Sequence, residues 1–174
     1  MLRSSSLGLL LALLAVLPAC GDDHGAEGDE LFQDEASDEV LLAMRDKVMQ
    51  GMVTVDNARA AQLSAPAAGA MVPGATPVAF TWSLPSMEPG GLRHGTATGK
   101  FVWLNIDGPG IANPVDVLSI TTTTFTPDAT SWASMVHASG AITVTLTTAT
   151  AADGVITQGP YRPSGTPPTF TVSQ

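Results

Sequence analysis

The chain has 174 residues, a length that holds one domain of ordinary size together with targeting and linker segments. Its formal net charge of −9, with only 7 Lys and Arg, excludes a nucleic-acid partner, because binding to a phosphate backbone draws on clusters of cations. The hydrophobic fraction of 44% is inflated by one run, Leu7 to Leu17, outside which the sequence is rich in Ala, Thr, Gly and Pro.

Met1 to Ser6 is short and mostly polar with one cation, Arg3, and leads into that run. At about 1.5 Å rise per residue the run covers roughly half of a ~30 Å hydrocarbon core, so it reads as a signal-peptide segment and not as a spanning helix. No later segment reaches the ~18 apolar residues that a span requires. The run ends in Leu17-Pro18-Ala19-Cys20, which resembles the lipobox of bacterial lipoproteins: an aliphatic residue, a tolerant position, a small residue and a cysteine. The resemblance implies cleavage before Cys20, a diacylglycerol thioether on its sulfur and acylation of the freed amine. Cys20 is the only cysteine, so it has no disulfide partner in its own chain, and an accessible nucleophilic thiol suits alkylation. One acyl chain of myristoyl length binds membranes marginally, whereas two or three on one residue hold stably. The resemblance therefore implies a membrane partner reached through the covalent lipid on Cys20, with the body tethered to the bacterial cell envelope. By enterobacterial sorting, Gly21 in place of an aspartate directly after the cysteine implies the outer membrane.

Nine acids and no base lie between Cys20 and Glu39. With Gly21, Gly25 and Gly28 interleaved, residues 20–36 have little to bury and read as a flexible acidic tether. His24 among these acids is a solvated histidine, since closing a flexible ligand set round a cation costs conformational entropy. From Ser37, a candidate N-cap, the pattern turns helical. Asp38 and Glu39 complement the positive end of the dipole, and Leu41, Met44, Val48 and Met52 recur at three-and-four spacing, ending near Gly51. This amphipathic face either packs on the following domain or docks into a groove of an envelope protein partner.

Past Ala60 the texture becomes β. Val78, Phe80, Trp82 and Leu84 alternate with Ala79, Thr81 and Ser83, and "GKFVWLNID" is apolar on both faces and so central. Strands follow at "VDVLSI", "TTTTFT", "AITVTLTTA" and "TFTVS", with a short helical or looped stretch around Ser131 to Ser139. About six or seven strands over roughly 115 residues indicate a mainly β fold, an antiparallel sandwich. The stretch "PAAGAMVPGATPVAFTW", then "FVWLNI" and "TTTTFTPD", looks like the immunoglobulin-like and fibronectin-III-like modules of bacterial surface lipoproteins. It implies a core role for Trp82 and a spacer or contact module, since fold alone supplies no function. The expected organisation is a signal peptide over 1–19, the tether over 20–36, the helix and a connector over 37–60, and the immunoglobulin-like β-sandwich over 61–174.

No catalytic, metal or cofactor motif stands out. There is no G-x-S-x-G elbow, no zinc ligand set and no Gly-rich phosphate loop, and His94 and His137 are the only histidines beyond the tether. The expectation is a non-catalytic envelope protein serving protein contact or envelope organisation. The rival is a carbohydrate- or other ligand-binding lipoprotein, for which Trp132 and Tyr161 are the candidate surface platforms.

Overall fold

The computed structural model describes residues 30–32, 37–84 and 97–174. The expected signal peptide, Cys20, His24, most of the tether and the segment carrying His94 lie outside the described residues. In chain order the elements are β1 (Glu30–Phe32), α1 (Asp38–Met49), β2 (Thr54–Val55), β3 (Gln62–Ala65), β4 (Met71–Pro73), β5 (Phe80–Ser83), β6 (Gly99–Asp107), β7 (Val115–Ser119), β8 (Thr124–Phe125), α2 (Ala129–Val136), β9 (Ile142–Ala152), β10 (Val155–Arg162) and β11 (Thr169–Ser173).

Eight strands join one sheet in the order β1-β7-β6-β9-β10-β2, with β11 on β9 and β4 on β11, while β3, β5 and β8 form a separate antiparallel sheet. The fold is mainly β, but the large sheet is mixed, and the all-antiparallel expectation is corrected there. The parallel pairs are β1 with β7, β2 with β10 and β4 with β11, each two or three residues long. Each partner lies far along the chain, so no hairpin sets the direction of pairing. The stretch expected to be tether thus contributes a strand, β1, at the sheet edge.

β6 is central, antiparallel to both β7 and β9, as its two apolar faces require. Val102, Leu104 and Ile106 point to one face and join Phe80, Trp82 and Phe125 of the small sheet in a single core. Phe101 and Trp103 point to the other face and meet Val40, Leu41 and Met44 of α1. The helix therefore packs on its own domain, with Leu41 and Met44 fully buried, Val48 half-buried, and Met52 beyond the helix end and 54% exposed. Burying such side chains is worth about 1.5–3 kcal/mol each, which explains why the helix is held by the sheet and not left for a partner. Ser37 occupies the N-cap position, yet its side chain makes no capping hydrogen bond.

A buried carboxylate fastens α1 to the sheet. Asp116 is 5% exposed and accepts hydrogen bonds from Trp103 Nε1 (2.6 Å) and Asn105 Nδ2 (2.8 Å), both on β6, and from Arg45 of α1, with which it forms an ion pair. Asn105 faces Asp116 across the β6–β7 ladder, so strand register delivers two of the donors and the helix the third. At the other end of the core, Asp128 caps α2 by accepting from Ser131 N at 2.7 Å.

Two predictions follow from these carboxylates. Asp116→Ala strands three buried or half-buried donors and should cost about 2–4 kcal/mol, since a buried ion pair loses most when one partner is removed; urea unfolding should show a lower midpoint with an unchanged slope. Asp128 is held below its ordinary carboxylate range, chiefly by the backbone N–H of Ser131. Its contribution is present above about pH 4, the unfolded value, and is lost as pH falls through the depressed folded value. An Asp128→Asn variant, which caps without titrating, should lose less melting temperature than the parent between about pH 5 and about pH 2, either side of the unfolded value.

Candidate functional site

The aromatic residues expected to form surface platforms are not at the surface. Trp132, on α2, is 4% exposed and donates its indole N–H to Gly74 O at 2.9 Å. Tyr161, on β10, is 6% exposed, and Arg59 covers it: the guanidinium carbon stands 4.6 Å from the ring centroid and Nη1 donates to the phenol oxygen at 2.7 Å. Arg59 is itself fixed by Nε to Asp56 at 2.7 Å, a bond that raises its pKa and lowers that of Asp56. A sugar needs an open ring face, and both residues are buried, so the reading of Trp132 and Tyr161 as carbohydrate platforms is corrected. His137 is exposed at the C-cap of α2. Among the described residues no group of three or more His, Cys, Asp or Glu could hold a metal ion, and no helix is long and apolar enough to cross a membrane.

A concave site lies elsewhere, where β10 and β11 share one edge of β9. β11 pairs with β9 at Ile142 and Thr143, and β10 pairs with it from Thr148 onward. Thr145 and Leu146, between them, have no strand partner on that edge among the described residues. The chain from Pro163 to Pro168, which links β10 to β11, swings out there and leaves a cleft of about 440 Å³. Its other walls come from β2 and the start of β3, through Val53, Val55, Gln62 and Leu63. The volume falls in the range of small-molecule sites, ~300–1,000 Å³.

Local sequence explains the shape. Gly159 has φ +87°, and a Cβ there would stand 2.9 Å from Thr148 O, so glycine permits a bulge in β10, beyond which Tyr161 still pairs with Thr148 and the chain leaves the strand after Arg162. The outer loop is pinned by Asn57, whose Oδ1 accepts from Ser164 N (2.8 Å) and whose Nδ2 donates to Ser164 Oγ (2.9 Å). At its far end Pro168 O accepts from Val144 N at 2.9 Å. Gly165, at φ +93°, makes the turn between these pins.

Arg162 is the single charged residue of the lining. Its Nε donates to Thr147 Oγ1 at 2.9 Å, and among the described residues its side chain has no carboxylate partner. Burial lowers its pKa from the ordinary arginine value, although a guanidinium remains charged at any physiological pH. The sequence signal for this residue was faint. Lys100 and Arg162 are the only bases after Thr96, and Arg162 stands in the loop-like "YRPSGTPP". No family model matches the chain, and comparisons with curated proteins and with solved structures give no match either.

Trp132→Ala should behave as a core truncation, lowering stability by about 3–5 kcal/mol. Its measured effect should appear in thermal unfolding, and an array of immobilised glycans should distinguish the folded variant from the parent at no position.

Proposed function

We propose that the chain is a non-catalytic, lipid-anchored protein of the bacterial cell envelope, attached through Cys20 and residing at the outer membrane. The observation that carries this reading is the Leu17-Pro18-Ala19-Cys20 motif, placed at the end of an apolar run and holding the only cysteine. The body is read as an immunoglobulin-like sandwich, supported by two sheets that share one core with Trp82 inside it. A fold that buries Leu41 and Met44 of its helix, its three tryptophans and Asp116 suits a self-contained module displayed on an acidic tether. Such a module serves protein contact or envelope organisation. A second reading, a ligand-binding lipoprotein, is favoured by one specific observation, the cleft at Arg162.

Growth with a clickable palmitate analogue should label the wild-type protein and place it in the membrane fraction. Cys20→Ala should abolish both. Labelling or fractionation that survives the substitution would exclude the anchor.

A further inference from the structure

The cleft combines three features that a packing defect does not: a pinned outer wall, a largely apolar lining and one half-buried cation with no acid partner among the described residues. We propose that this cleft binds an amphipathic carboxylate, with its anionic end on the Arg162 guanidinium and its apolar body against Val55, Leu63 and Pro167. The proposal deepens the ligand-binding reading and does not depend on the anchor. With Nε committed to Thr147, the two terminal nitrogens of Arg162 make no hydrogen bond to described residues, and a planar fork of that kind matches a carboxylate in bidentate fashion. Leaving a partly desolvated charge unpaired is costly, and an incoming carboxylate removes that cost.

Charge decides between anions. One cation stands in the lining and the chain carries a net charge of −9, so a dianionic phosphate would bring more negative charge than the site can balance. A single carboxylate matches it. Val53, Val55, Leu63, Pro163, Pro167 and Pro168 supply an apolar wall for the rest of the ligand, beside the neutral polar Gln62, Thr145, Ser164 and Thr166. A free organic acid and the C-terminus of a peptide both present this chemistry.

The test is calorimetric titration of the full chain with octanoate, octanol and octylamine, and with N-acetyl-valyl-leucine as the acid and as the amide. Octanoate should bind one-to-one and at least about tenfold tighter than octanol or octylamine, the size expected of a charge-assisted hydrogen-bonded contact. Arg162→Gln should weaken octanoate at least about tenfold without changing octanol, and Arg162→Lys should fall between, because an ammonium lacks the fork. Val55→Glu is a second variant, at an exposed position that pairs with Arg162 across the β2–β10 ladder. It should weaken octanoate by placing a like charge at the mouth. Tighter binding of the dipeptide acid than of octanoate assigns a chain terminus as the ligand source, and the reverse order assigns a free acid.

Equal binding of octanoate and octanol, binding of no acid at all, or indifference to both variants would overturn the proposal. Octanoate binding retained in a protein that palmitate does not label would overturn the anchor alone. Labelled protein that ignores every carboxylate would overturn the inference alone.

Discussion

The structure depends on one pairing, the long antiparallel ladder between β6 and β9. Nine residues of β6 face nine of β9 in unbroken register, from Gly99 opposite Ala151 to Asp107 opposite Thr143. Because β6 is apolar on both faces, the ladder has to be covered twice. The small sheet covers Val102, Leu104 and Ile106, and α1 covers Phe101 and Trp103. Most other features can be traced to that requirement. α1 surrenders its apolar face, Asp116 finds donors from the strand and from the helix above it, and the short strands attach as edges to a sheet already formed.

The same ladder accounts for the cleft. β9 is the longest strand, with 11 residues, and one of its edges is taken up by β6 along most of that length. The opposite edge is shared between β10 and β11, neither of which covers it completely. The chain leaves β10 after Arg162, and a loop tied to Asn57 keeps the gap open. The cation in the gap comes from the last residue of β10, so the departure that opens the cleft also places Arg162 on its wall.

Legibility differed between elements for identifiable reasons. α1 and the central strands could be read because their burial is periodic: Leu41 and Met44 recur on one helical face, and "GKFVWLNID" has no polar face to expose. α2 was partly legible from Trp132 and Met135, both buried, while its cap, Asp128, lies just before the stretch. β10 was not legible, since Gly159-Pro160 in its middle has the composition of a turn and its exposed residues, among them Val155 and Gln158, break the alternation. β1, β2 and β4 are two or three residues long, too short to carry any period. Of the site, the sequence offered only an isolated arginine in a proline-rich stretch. The burial of Trp132 and Tyr161 leaves no local signal, because it depends on distant neighbours, here the Gly74 carbonyl that takes the indole N–H and the Arg59 guanidinium over the phenol ring.

A β-rich body with a central two-faced strand and a helix before it can be read from the residues in order, as can the Leu17-Pro18-Ala19-Cys20 motif on which the anchor reading rests. Those properties are local, set by hydrophobic period, by composition and by a contiguous motif. Long-range packing alone places the helix face on the sheet, runs the edge strands parallel, encloses the aromatic rings and turns Arg162 to a cleft with no acid beside it among the described residues. Each of these joins residues about 15 to 100 positions apart, as Arg59 to Tyr161 or Arg162 to Thr147, and separations of that kind leave no trace in the spacing of neighbours.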